Sequence, residues 1–499
     1  MKQTEVQIHP AYIIGEVSPF IFGGFIEHIG RCVYEGLYDP KSKWADEHGF
    51  RTDVMAALRE LDMTMMRYPG GNFVSGYHWQ DGVGPKSERP TVKDHAWNSL
   101  ESNHFGTDEF MTLCRKMNWE PMMAANLGTG TPEEARDWVE YCNSPAGSRF
   151  SDMRVTNGSK EPYGIKYWCL GNEMDGPWQI GHVPADQYAI RAQQAAKMMR
   201  DCDRSIQSIA CGSSAESMPT FLEWDQKVLE YVGGLAKYVS LHKYVGNSRD
   251  DSAEYLAIGA SIDRQIESVD ACCRLVQAKR KSRRRAYLCF DEWNVWYKTN
   301  KPEFLDGKGE FAPHLNEEMY NFEDALVVAQ FLNSFIRHAD VVKIANLAQV
   351  VNVIAPLITQ GEELLKQSIF HAFKLFSEHK QGDSLKLVVD GPQYESAQGA
   401  VPYLDCSAIF SREEKRITIF AVNRSVDESM PLKIILNQFQ IDCPGEAIIL
   451  NHDDLKATND FATPDEVTPQ TFDQVSVNGT TLIAELPAAS LTRLVVFTN

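Results

Sequence analysis

Two glutamates stand at the ends of apolar runs: Glu173 after Ile165-Lys166-Tyr167-Trp168-Cys169-Leu170-Gly171-Asn172, and Glu292 after Ala286-Tyr287-Leu288-Cys289-Phe290-Asp291. A carboxylate at the mouth of an apolar strand is costly unless something pairs or uses it. Two carboxylates facing each other can divide the work of proton donor and nucleophile, and a gap of roughly 5 Å suits a covalent intermediate. The chemistry therefore depends on whether the rest of the chain brings the two strand tips together.

Eight short apolar segments recur between helical stretches, at Phe20–Glu27, Met63–Tyr68, Pro121–Asn126, 165–172, Ser208–Cys211, Tyr238–His242, 286–292 and Val341–Ala348. Continuous rather than alternating apolarity is expected of parallel strands covered on both faces. Eight such strands, each followed by a helix or long helical loop, predict an α/β protein with a (β/α)8 TIM barrel over residues 19–381. The segments end in or near Glu27, Asn72, Asn126, Glu173, Tyr244, Glu292 and Gln349, a polar cup at the face where such barrels carry their active sites. A last barrel helix is expected over 363–377. Beyond residue 382 the pattern alternates with period two, as in Arg416-Ile417-Thr418-Ile419-Phe420, and predicts a C-terminal β-sandwich of jelly-roll type over 382–499. Residues 1–18 alternate loosely and are expected to join it.

Aromatic residues near the strand ends, Trp97, Trp178 and Trp296, have faces suited to stacking on sugar rings, whereas Trp293 reads as packing. Glu27-His28 has an alternative reading as a buried ion pair. The run Gly128-Thr129-Gly130-Thr131-Pro132-Glu133-Glu134 lacks the third glycine and the lysine of a phosphate loop and reads as a helix start. The histidines show no metal-ligand spacing, so neither a metal nor a cofactor is expected.

The 499-residue chain carries 49 Lys+Arg against 68 Asp+Glu, a net charge of −19 that argues against nucleic acid or an anionic membrane as partner. The basic run Lys279–Arg285 reads as a solvated helix end. No signal sequence or membrane-spanning run is evident, and the 11 scattered cysteines form no C-x-x-C pair. Together these features point to reduced, buried thiols in a cytoplasmic protein.

The tip Gly171-Asn172-Glu173 followed by a glutamate on the seventh strand resembles the retaining glycoside hydrolases of clan A. More narrowly, Gly24-Phe25-Ile26-Glu27-His28-Ile29-Gly30, Arg67-Tyr68-Pro69-Gly70-Gly71-Asn72-Phe73, Cys169–Trp178 and Phe290–Tyr297 resemble the α-L-arabinofuranosidases of glycoside hydrolase family 51. The resemblance implies a retaining, exo-acting enzyme on arabino- and arabinoxylo-oligosaccharides, with Glu173 as acid/base and Glu292 as nucleophile. It also implies that Glu27, Asn72, Asn172, Tyr244 and Gln349 bind the sugar and the nucleophile's surroundings, and that Trp97 and Trp296 line the pocket. It further implies a homo-oligomer, with a hexamer favoured. The segment His242-Lys243-Tyr244-Val245-Gly246 departs from the family pattern beside Tyr244, which bears on the leaving-group side. Two rivals stay open at this level: another clan A glycosidase such as a β-xylosidase or endoglucanase, and a non-catalytic carbohydrate-binding protein. A closed pocket would separate exo from endo action, and an intact Glu173/Glu292 pair argues against an inert barrel.

Overall fold

A computed structural model describes residues 3–498; Met1, Lys2 and Asn499, at the outer ends of the two terminal segments, lie outside the described residues. Eight strands close into a parallel barrel: β1 (Gly23–Phe25), β2 (Met65–Tyr68), β3 (Glu120–Ala125), β4 (Tyr167–Leu170), β5 (Gln207–Cys211), β6 (Ala236–Val245), β7 (Tyr287–Val295) and β8 (Val342–Ala348). β8 pairs with β1 to complete the ring, through Asn346–Gly23, Leu347–Gly24 and Ala348–Phe25. The continuous apolarity of these segments follows from burial on both faces: β2 and β4 have no exposed residue.

Two expected elements differ. Pro19–Phe22 is a turn of 3-10 helix, and only Gly23–Phe25 is strand. Pro19 sets the start of that turn and Ser18 caps it, its Oγ accepting from Phe20 N. The expected helix over 363–377 is two elements. Leu357–Gln360 and Glu363–Lys366 form a hairpin, and the helix is confined to Ser368–Ser377. A turn at Gly361, with φ +58°, closes that hairpin and takes the first residues out of helical geometry.

Besides three two-stranded hairpins, ten further strands form one continuous sheet, and Thr4–Glu16 lies inside it. That strand runs antiparallel to Asp383–Asp390 and parallel to Met430–Leu436. Residues from distant parts of the sheet, including Leu432, Ile434, Leu482, Ile419 and Val496, share one core, so the sheet folds over on itself.

The helix Phe322–Arg337 joins barrel and sheet. All its residues through Ile336 are buried, which requires cover on every side. The sheet supplies the outer cover. Asn333 Nδ2 donates to Asp405 Oδ2 (2.9 Å), Ser407 Oγ to Asn333 Oδ1 (2.6 Å) and Ser384 Oγ to the Ile336 carbonyl (2.6 Å). Phe376 stacks on Phe420 at 4.0 Å. The sheet also returns to the barrel at 455–457, whose carbonyls accept from Glu323 N and Phe322 N.

The cysteines are free, and all but half-buried Cys202 and exposed Cys443 are buried. The basic run is tied down locally: Lys279 pairs with Glu230 and Arg285 with Asp270. No helix of the described residues is long and apolar enough to cross a membrane.

Candidate active site

The two glutamates meet at the C-terminal mouth of the barrel. One carboxylate oxygen of Glu173, one of Glu292 and a ring nitrogen of His242 all lie within 4.8 Å of one another. Local backbone geometry aims each carboxylate. After β4, Gly171 takes φ +91° and Glu173 itself φ +42°, a region that non-glycine residues rarely enter and that commonly marks a functional turn. On β7 the register slips against both neighbouring strands around Phe290–Glu292. This irregularity lets the consecutive Asp291 and Glu292 both reach the same guanidinium. Trp293 then packs outward on Phe331 and Phe335, as expected of it.

Arg67 of β2 is the hub. Its fully buried guanidinium donates from Nη1 to Glu292 Oε1 (2.7 Å) and from Nη2 to Asn172 Oδ1 (2.6 Å), and Nε lies 3.3 Å from Asp291 Oδ2. Burial works against its charge, but the carboxylates of Asp291 and Glu292 outweigh it and hold the pKa far above the ordinary arginine value. The other Glu292 oxygen accepts from the Tyr244 hydroxyl (2.8 Å). Glu292 is thus held from both sides.

Along β6, alternate side chains face inward. Ser240 Oγ donates to Asp291 Oδ1, His242 Nδ1 lies 2.7 Å from Glu173 Oε1 and 3.6 Å from Glu292 Oε2, and Tyr244 reaches Glu292. Burial opposes protonation of His242. The charges of Glu292 and Asp291, with hydrogen bonds to Asp291 and Glu173, prevail and raise its pKa well above the histidine norm. The converse holds for Asp291: burial pushes its carboxyl up, but Arg67 and His242 bring it down to about 2. The second Glu173 oxygen accepts from the Trp178 indole N–H at 2.6 Å.

Glu27 occupies the opposite wall. It accepts from Phe73 N (3.0 Å), Trp97 Nε1 (3.1 Å) and Gln349 Nε2 (3.1 Å). Burial, and then the neighbouring Glu292 charge, push its pKa up to about 7 against those donors. The Gly70-Gly71 turn brings these walls together. A Cβ on Gly71 would lie 2.7 Å from Glu292 Oε1, 3.4 Å from Glu27 Oε2 and 3.5 Å from Asn172 Nδ2. Asn72 begins the next 3-10 turn and is half-buried.

Of the expected residues, Tyr244 bonds Glu292 directly and Asn172 shares Arg67 with it, whereas Glu27, Gln349 and Trp97 form a hydrogen-bonded group of their own beside the pair. Trp296 stands edge-on to Tyr244 at 5.5 Å, with its indole N–H buried and unpartnered. Asn126 does not belong to the cup: its Oδ1 accepts from Gly128 N, Thr129 N and Gly130 N and shapes that loop. Glu27 and His28 are not an ion pair, since His28 contacts Glu101 (2.8 Å) and Tyr68 (2.8 Å) instead. Trp178 is half-exposed and serves Glu173 as a hydrogen-bond donor.

Sequence reasoning missed Arg67, His242 and Asp291. Each carried a signal: a lone cation inside the apolar run of β2, a histidine two positions before Tyr244 on one strand face, and an acid adjoining Glu292. The Glu173, His242 and Glu292 donor atoms have the spacing of a metal-ligand set. Arg67, Tyr244 and Trp178 already direct hydrogen atoms at the carboxylate oxygens, which suits a proton-handling pair better than a cation.

Comparison with known proteins agrees with this geometry. Family models match in two blocks, the α-L-arabinofuranosidase 1 domain over residues 57–256 and the α-L-arabinofuranosidase C-terminal domain over residues 291–490. The chain is 48% identical over 461 residues to an intracellular exo-α-(1→5)-L-arabinofuranosidase 1 of Bacillus subtilis, covering 92% of each. It is 44% identical to an enzyme of the same description, without the final numeral, from Acetivibrio thermocellus, covering 98% of each. A solved family 51 α-L-arabinofuranosidase from Bifidobacterium longum superposes with a TM-score of 0.95 at 35% identity, over 99% of this chain and 100% of that one. The chain belongs to the α-L-arabinofuranosidases of glycoside hydrolase family 51 and is a glycoside hydrolase.

Proposed function

We propose that the enzyme removes single α-L-arabinofuranosyl units from the non-reducing ends of (1→5)-linked arabino-oligosaccharides by double displacement. Glu292 attacks the anomeric carbon while Glu173 gives its proton to the leaving oxygen. Water activated by Glu173 then hydrolyses the glycosyl-enzyme. The observation that carries the reading is the approach of the Glu173 and Glu292 oxygens to within 4.8 Å, with Glu292 fixed between Arg67 and Tyr244. A separation of roughly 5 Å suits a retaining pair and is too short for the water of an inverting one.

The remaining roles are assigned from position around this pair. His242 links Glu173 to Asp291 and gives the acid's proton a hydrogen-bonded partner during the cycle. Glu27, Asn72, Asn172, Gln349, Trp97 and Trp296 bind the arabinofuranosyl ring. Exo action is supported by the wall behind Glu27. The hairpin Val92–Asp94/Ser99–Glu101 carries Trp97, and the Trp97 carbonyl accepts from Gly307 N of the loop laid over it. The (1→5) linkage and an intracellular site of action are those of the relatives' descriptions. Residues 19–381 form the catalytic unit, and 1–18 with 382–499 the sheet unit, on the pairing of Thr4–Glu16 with Asp383–Asp390. A homo-oligomer is carried on family resemblance.

The test is the product series from a reducing-end-labelled (1→5)-arabinopentaose. Shortening by one unit at a time, with free arabinose appearing first as the α-anomer, is expected. Internal cleavage, or a β-anomer formed first, would contradict the reading.

A further inference from the structure

Beyond Val295, where β7 ends, the backbone needs new hydrogen-bond partners. Trp296 N continues the pairing with β6 and donates to the Val245 carbonyl at 2.9 Å. The next three N–H groups turn to one side chain. Glu318 Oε1 accepts from Tyr297 N and Lys298 N, each at 2.9 Å. Its Oε2 accepts from Thr299 Oγ1 at 2.9 Å and Thr299 N at 3.4 Å. Glu318 is fully buried, and a buried carboxylate is costly unless donors converge on it in this way.

The segment carrying Glu318 is itself fixed. Glu318 N donates to the Asn316 carbonyl (2.9 Å), and the Glu318 carbonyl accepts from Gln367 Nε2 (2.9 Å). Two residues on, the Tyr320 hydroxyl donates to the Val295 carbonyl (2.7 Å). Residues 318–320 therefore hold the main chain on both sides of Trp296. The Trp296 ring stands edge-on to Tyr244 at 5.5 Å, and Tyr244 in turn donates to Glu292. Packing leaves little slack on the β6 side, where a Cβ on Gly246 would lie 2.2 Å from Tyr297 Cβ. A shift of 297–299 is thus passed on to Trp296 instead of being absorbed.

We propose that Glu318 is a positioning residue for the sugar pocket: through the main chain of Tyr297–Thr299 it sets Trp296 against Tyr244, and so fixes how the arabinofuranosyl ring is presented to Glu292. The inference rests on Trp296 lining that pocket. Glu318 itself touches neither the sugar nor the two catalytic glutamates.

The experiment measures kcat/KM on an aryl α-L-arabinofuranoside for Glu318→Gln and Glu318→Ala, each alone and combined with Trp296→Ala. With Trp296 in place, a fall of about tenfold is expected for Glu318→Gln, which keeps one acceptor oxygen, and of about 10²-fold for Glu318→Ala. In the Trp296→Ala background the same substitutions are expected to change kcat/KM by less than about threefold, because the ring they position is gone. Equal fold-losses in the two backgrounds would overturn the proposal, as would values within about twofold of the wild type for both single variants. Partial unfolding lowers kcat/KM by the same factor in either background and does not mimic the coupling. Should Glu318→Ala fail to fold, Glu318→Gln carries the comparison. Undiminished kcat/KM in Trp296→Ala alone would instead overturn the place of Trp296 in the pocket, and this inference with it.

Discussion

Glu27 shows how far a single buried carboxyl can couple the site to pH. Its folded pKa of about 7 lies above the ordinary value of 4.5, because burial and the Glu292 charge both favour the neutral form. The folded state therefore holds a proton that the unfolded chain releases between those values. Stability from this group is complete below pH 4.5 and is lost as pH rises through about 7. Replacing Glu27 with the always-neutral glutamine removes that loss. The Tm difference, Glu27→Gln minus wild type, is expected to grow from pH 5 to pH 8 by calorimetry, and parallel curves would contradict the assignment. Glu173 and Glu292 were legible in the sequence because each terminates an apolar run. Arg67, His242 and Asp291 carried weaker signals, because a buried charge inside such a run acquires its role only once its partners from other strands are in place.

At the level of elements, the catalytic distances depend on turns more than on strands. The Gly70-Gly71 turn admits the Glu292 and Glu27 carboxylates to within van der Waals reach of the backbone. Gly71→Ala puts a methyl 2.7 Å from the nucleophile's Oε1, so Glu292 must move off Arg67. We expect kcat/KM to fall by about 10²-fold, the size of effect that a misplacement of order 1 Å produces, with a Tm shift below about 5 °C. Undiminished kcat/KM would show that the turn does not set the distance. The eight strands were legible from continuous apolarity, and their order follows from the closure of the barrel. The slip in β7 that brings Asp291 and Glu292 to one guanidinium was not legible, since irregular pairing depends on the neighbouring strands. The hairpin at 357–366 was misread for a related reason: Glu363-Leu364-Leu365 suits a helix locally, and only pairing with Leu357–Gln360 decides against it.

At the scale of the whole molecule, barrel and sheet are one packed body. Asp405, on the sheet, accepts from Arg337 Nη1 (2.7 Å) and Asn333 Nδ2 (2.9 Å) of the barrel helix and lies 3.2 Å from Arg424 Nη2. Asp405→Ala leaves buried Arg424 without its counter-charge, while half-buried Arg337 keeps Asp263 at 2.9 Å, and is expected to cost about 3 kcal/mol, the lower end of the usual penalty for breaking a buried ion pair. Thermal or urea unfolding measures it, and a cost below about 1 kcal/mol would place the stabilising contacts elsewhere. The composition change near residue 382 announced a second unit. Its return to the barrel at 455–457 depends on tertiary contacts that no periodicity encodes.

The division of labour between Glu173 and Glu292 is tested most directly by the stereochemistry of azide rescue on an activated aryl α-L-arabinofuranoside. In Glu173→Ala the nucleophile still forms the glycosyl-enzyme, and azide opens it from the face the leaving group vacated, giving the α-arabinofuranosyl azide. In Glu292→Ala azide enters from the nucleophile's side and displaces the leaving group directly, giving the β-azide. Proton NMR of the two products distinguishes them. The α-azide from Glu173→Ala and the β-azide from Glu292→Ala are predicted, and the reverse pairing, or near-normal unassisted turnover by Glu292→Ala, would contradict the mechanism.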